Sequence, residues 1–231
     1  MDRTGVRKLQ GVDDLSGLSR AEQVELLRSR ISALGGGTPE ISPGAPEVIR
    51  TPSELARALP GGGLARRAVT EVSDCPALIV ELIAQATATG GHVGVVGWPE
   101  LSLAGVVEEG RLDHVIVVPD PGSDPLGIVG VLVEGLDLVI ARWAVPLELS
   151  PVRVRPLLGR LRGGVAALVL VGARVPSPHV RIDATVTTFR GIGRGHGRIR
   201  GVDIAVRVEA KGRPSASTTV TVGQRAGLRV V

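Results

Sequence analysis

From Arg67 to Val171 the chain repeats one unit, a short apolar run followed by a longer stretch of helical character. The apolar runs are Arg67–Val72, His92–Val96, His114–Val118, Leu136–Ala141 and Val165–Val171. Between them lie Ala77–Thr89, Leu101–Glu109, Pro125–Glu134 and Val152–Leu161. A strand with one wet face alternates apolar and polar residues, whereas a run that is apolar almost throughout belongs to a strand buried on both faces. Interleaved with helices, such runs predict an α/β fold with a mostly parallel sheet flanked by helices. After Val171 the rhythm changes. Val180–Arg190, Gly201–Glu209 and Ser217–Val222 alternate, and turn-rich segments join them. They predict a C-terminal antiparallel strand extension at one sheet edge.

Upstream, the organisation is looser. Ser19-Arg20-Ala21-Glu22 is a capping box opening a helix whose Val24, Leu26, Leu27, Ile31 and Leu34 fall on one face. Gly35-Gly36-Gly37 stops it, and Thr38–Pro46 is a Pro/Gly linker. Residues 1–47 are therefore expected to be an N-terminal helix with its linker, and 48–231 the core domain. Leu27 and Ile31 are candidate interface residues, for a protein partner or for a second copy in a homo-oligomer. Thr51-Pro52-Ser53-Glu54 is a second capping box, starting a short helix over Ser53–Ala58.

Charge is unevenly distributed in the 231 residues. Residues 1–150 carry 12 Lys/Arg against 20 Asp/Glu, and residues 151–231 carry 15 against 3. A basic end of this kind attracts phosphate backbones or an acidic partner. One cysteine, Cys75, excludes an internal disulfide framework. No run approaches the ~20 apolar residues of a membrane span, and the N-terminus lacks an apolar signal core, so a cytoplasmic protein with no membrane contact is expected.

The first strand–helix junction carries the chemistry. A phosphate-binding junction supplies glycines whose N–H groups cradle phosphates, a lysine for charge and a hydroxyl for Mg²⁺. Here the residues are Ser73, Asp74, Cys75, Pro76 and Ala77, with neither glycine nor lysine. Gly61-Gly62-Gly63 precedes the strand and reads as a tight turn.

Order and motifs together resemble the RecA core. Gly61-Gly62-Gly63-Leu64 before R-A-V-T-E-V resembles that family's lead-in and first strand. Asp137–Arg142 lies where its Walker B strand would end in a carboxylate, and the last three runs match its terminal antiparallel meander. Within the family, G-H-V-G-V-V-G-W-P-E-L at Gly91–Leu101 and V-P-D-P-G at Val118–Gly122 are similar to the short ImuA-type proteins, accessories of a damage-induced mutagenic polymerase cassette. The resemblance covers roughly Val48–Val222.

It implies a RecA-like core with degenerate motifs. Ser73–Ala77 occupy the Walker A region, Arg142 stands at the Walker B position, and Glu100 lies near the family's catalytic glutamate. Asp74 would repel phosphate and Pro76 removes an N–H donor, so neither ATPase activity nor a cofactor is expected. The implied function is a non-catalytic adaptor in DNA-damage tolerance. The implied partners are an ImuB-like Y-family polymerase homologue and, beyond it, an error-prone replicative-type polymerase and RecA. A weak DNA-dependent ATPase and a sequence-independent DNA-binding paralogue stand as alternatives.

Four further features complete the sequence reading. Cys75 at a helix start reads as packing in the vacated junction, since the sequence places no His–Asp pair to activate it. The four histidines lack metal-ligand spacing, and no metal site is expected. Trp98 and Trp143 fall just past predicted strand ends, as plugs of the empty cleft, as partner anchors or, in a chain with few bulky residues, as simple core filling. Finally, Arg190, Arg194, Arg198 and Arg200 alternate with glycines in a turn-rich tip, either a candidate patch for nucleic acid or an acidic partner or a solvated flexible hairpin. No aromatic neighbour is expected there to serve as a stacking platform.

Overall fold

The structure, a computed structural model, describes residues 48–193 and 196–223. Leu27, Ile31 and Arg194, with the N-terminal helix, lie outside the described residues. A two-stranded antiparallel sheet comes first, β1 (Val48–Ile49) with β2 (Leu64–Ala65), and between them lies α1 (Ser53–Ala58). Thr51 does not cap that helix, because its buried hydroxyl has no hydrogen-bond partner.

The main sheet alternates with helices as the apolar rhythm requires. In chain order it runs β3 (Val69–Val72), α2 (Pro76–Ala88), β4 (Val93–Val96), α3 (Ala104–Glu109), β5 (Val115–Val118), α4 (Pro125–Gly135), β6 (Leu138–Glu148), α5 (Pro151–Gly163) and β7 (Ala167–Arg174). Then follow β8 (Val180–Gly193), β9 (His196–Ala210) and β10 (Ala216–Val222). The spatial order is β10-β9-β8-β3-β7-β6-β4-β5. From β8 to β5 every neighbouring pair is parallel, while β9 runs antiparallel to β8 and β10. The mostly parallel sheet flanked by helices, with an antiparallel C-terminal extension, is the α/β architecture expected.

Burial explains the two sequence rhythms. Along β7, Val169 and Val171 pack into one apolar layer with α2, and Leu168 and Leu170 into another with α4 and α5. Both faces are dry, so the strand is apolar at every position. In the extension only one face is covered by the described residues. Ile182, Ala184, Ile204, Val206 and Val220 are buried there, while Thr185, Ala205, Arg207 and Thr219 point to solvent.

Two expectations need correction. β6 does not stop at Ala141 but continues to Glu148, so Trp143 lies inside a strand and not beyond its end. The register to β7 slips between Arg142 and Leu147, which lets the strand run on past the sheet's usual edge. The Gly/Arg segment is not a turn-rich tip either: residues 190–193 and 196–200 belong to β8 and β9, which form a long ribbon. Glycines at positive φ, Gly191 (90°) and Gly197 (92°), let the ribbon pair where a side chain would be strained.

Candidate functional site

The site lies at the carboxyl ends of β3, β4 and β6, the edge where open α/β sheets bind ligands. Only Ser73, Asp74 and Cys75 separate β3 from α2. That is too short to wrap a phosphate, and each residue has another task. Ser73 stitches β3 to β8: its Oγ accepts from Ala184 N–H at 2.7 Å and donates to Ala184 C=O at 3.1 Å. Cys75 is buried at the N-cap of α2. Desolvation pushes its thiol pKa up, beyond what the Leu78 and Ala77 N–H groups offset, so the thiolate is disfavoured. Pro76 takes the first helical position and Ala77 packs against the core.

Asp74 is engaged by Arg142 of β6. Arg142 donates from Nε and Nη2 to Asp74 Oδ2 at 3.1 and 3.0 Å, and from Nη1 to Glu100 Oε1 at 2.6 Å. Its guanidinium carbon stands 4.9 Å from the Trp98 ring centroid. The Arg142 side chain is only 15% exposed, against 48% for Asp74 and 59% for Glu100. One cation thus clamps the β3–α2 junction, the β4–α3 loop and β6. Gly97 makes the clamp possible, because a Cβ there would lie 2.5 Å from the Arg142 carbonyl oxygen, and its φ is 72°. No side chain fits, so the backbone drops past β6 and delivers Trp98 beneath the guanidinium.

Beside the clamp opens a cleft of about 360 Å³, whose lining includes Glu71, Asp74, Glu148, Asp183, Arg174 and Arg181. Glu71 is 4% exposed, accepts from Val175 N–H at 2.7 Å and pairs with Arg181 at 2.8 Å. That hydrogen bond raises the Arg181 pKa. The donor set does not fit a magnesium nucleotide. Where the resemblance would put phosphate stands the Asp74 carboxylate, where it would put a metal ligand stands the Arg142 guanidinium, and the neighbouring cleft is lined by Glu71, Glu148 and Asp183 against Arg174 and Arg181.

The sequence match then fixes the family. Residues 57–177 match the MT3502 N-terminal domain, and the chain is 30% identical over 203 residues to the uncharacterized protein Rv3395c of Mycobacterium tuberculosis, covering 84% of this chain and 93% of that one. The chain belongs to the MT3502 N-terminal domain family. The matched segment runs from within α1 to just past β7, so the clamp falls inside the family domain and the β8–β9 ribbon outside it. Among solved structures the chain is similar to the RadB recombinase (TM-score 0.47, 15% identity, 71% of this chain and 91% of that chain). It is also similar to a solved ATPase domain (0.45, 11%, 91% and 96%) and to a KaiC-like protein of Pyrococcus horikoshii (0.43, 11%, 77% and 95%).

The remaining sequence candidates fare differently. Trp98 is 2% exposed and belongs to the core, so it is no free interface anchor, and the need to fill an aliphatic interior accounts for it. Trp143 is half-buried against the second apolar layer. Arg190 pairs with Asp203 at 2.7 Å, which separates it from the other arginines of the proposed patch. Arg198 and Arg200 are exposed. Sequence reading missed Glu71 and Arg181; the one available signal was a glutamate inside an otherwise buried strand.

Proposed function

We propose that this chain is a non-catalytic RecA-like adaptor in DNA-damage tolerance, joining an ImuB-like Y-family hub to an error-prone polymerase. The observation that carries the non-catalytic part is the clamp. Phosphoryl transfer is positioning plus stabilisation of negative charge by lysine, metal and backbone N–H groups. In this chain the cation at the centre of the site already holds two carboxylates of its own. Nucleotide would have to displace Asp74 and Glu100 and then face Glu148 and Asp183. The adaptor role rests on the ImuA-type motifs at Gly91–Leu101 and Val118–Gly122. The first of these supplies Trp98 and Glu100, two of the clamp's four residues.

The test has two arms. Purified protein with Mg-ATP, with and without single-stranded DNA, should release no phosphate and gain no thermal stability. A tagged ImuB-like protein from damaged cells should retain this chain. Turnover abolished by Glu100→Ala would replace the proposal with an ATPase, and absence of any complex would remove the adaptor role.

A further inference from the structure

Independently of the adaptor reading, we propose that the β8–β9 ribbon carries a binding site for single-stranded nucleic acid, built from Phe189, Arg198 and Arg200. The ribbon projects beyond the sheet: β8 pairs with β3 only over Val180–Ile182, and β9 pairs with β10 only over Val202–Val208. Past those limits neither strand pairs with a further strand among the described residues. Arg190 faces Gly201 and Ile192 faces Gly197, so Arg198, Ile199 and Arg200 all oppose the single residue Gly191. Such a bulge re-aims side chains and is a recurrent device beside functional sites.

Gly191 gives the site its floor. A Cβ there would lie 2.9 Å from Arg200 Cγ and 2.5 Å from the Arg198 carbonyl oxygen, so the Arg200 stem crosses the space a side chain would fill. Phe189, two residues back on the same strand, pairs with Val202, and Arg200 is two residues from Val202 on its own strand. Alternation brings Phe189 and Arg200 to one face. Phe189 is 52% exposed, the chain's only phenylalanine, while Trp98 is buried and Trp143 half-buried. Register thus sets one exposed aromatic residue beside this segment, where the sequence reading expected no stacking platform.

The chemistry favours nucleic acid over an acidic protein face. Neither Arg198 nor Arg200 has an ion-pair partner among the described residues, whereas Arg190 is tied to Asp203 on the other side of the ribbon. Free guanidinium groups next to an exposed aromatic ring combine phosphate contact with base stacking. A protein carboxylate surface would use the charge but leave the ring uncovered. Nothing in the trio reads base edges, so binding is indifferent to sequence.

The test is fluorescence anisotropy of labelled oligo(dT) with the full-length chain across a salt series. The wild type should bind at low salt and weaken steeply as salt rises. Arg198→Ser with Arg200→Ser should reduce the slope of log K against log salt by about 1.4, from about 0.7 per single-strand phosphate contact. Phe189→Ala should weaken binding roughly 5- to 150-fold at fixed salt while leaving that slope unchanged, the signature of a lost stacked base. Arg190→Ser should change neither. Arg198→Lys with Arg200→Lys keeps the charge and should keep the slope, which separates lost charge from a disturbed ribbon. No binding at low salt overturns the proposal, as does a slope unmoved by the double serine variant. Full affinity in Phe189→Ala assigns the arginines to charge alone and overturns the stacking site.

Discussion

Replacing Arg142 by methionine removes the guanidinium and keeps most of the stem, so the loss reads the clamp itself. Three contacts go: the pair with Asp74, the pair with Glu100 and the stack on Trp98. An ion pair with an exposed partner contributes about 0.2–1 kcal/mol, and a cation–π contact of this kind about 0.5–1 kcal/mol. Both carboxylates are half-exposed and regain water when released, so the electrostatic part belongs at the low end of that range. The expected cost is about 1–2 kcal/mol, which for a domain of this size lowers Tm by roughly 2–8 °C. The assay is urea unfolding of wild type and variant at low and at ~1 M salt, where charges are screened beyond ~3 Å. The gap should narrow with salt but not close, because the stacking contact is less sensitive. Arg142→Asp should cost more than Arg142→Met, since it sets a third carboxylate beside Asp74 and Glu100. The reasoning is refuted if Arg142→Met matches wild type at low salt, or if Arg142→Asp is the milder change.

Other consequences follow from the buried polar groups. Glu71→Ala leaves the Val175 N–H and Arg181 without their acceptor, and urea unfolding should register a loss of roughly 2–4 kcal/mol, the cost of breaking a largely buried pair. Glu81 is buried on α2, and desolvation raises its pKa despite the Gln85 hydrogen bond. A carboxyl that binds its proton more tightly when folded destabilises as pH rises through and above its unfolded pKa, so Glu81→Gln should stabilise at neutral pH and not below about pH 3. A pH series of urea midpoints checks the sign. Cys75, buried with a raised thiol pKa, should resist alkylation at pH 8 in the native state and react at the rate of opening, read by mass spectrometry.

The alternation of apolar runs and helices was enough to predict a mostly parallel sheet with helices on both faces, because burial on two sides leaves no polar position in a strand such as β7. The switch to alternating residues after Val171 marked the antiparallel extension for the converse reason, one wet face. Missing glycine and lysine at Ser73–Ala77 were equally legible, since phosphate cradling depends on local backbone chemistry. The clamp was not. Glu100 and Asp74 lie 42 and 68 residues from Arg142 along the chain, and only the order of β3, β6 and β4 in the sheet brings them together. Burial of Trp98 agrees with the core-filling reading of the sequence, but its place beneath Arg142 depends on the turn at Gly97. Phe189 and Arg200 become neighbours only through the bulge opposite Gly191. A sequence records which residues prefer burial or solvent, while pairing between distant residues is decided by strand order and register.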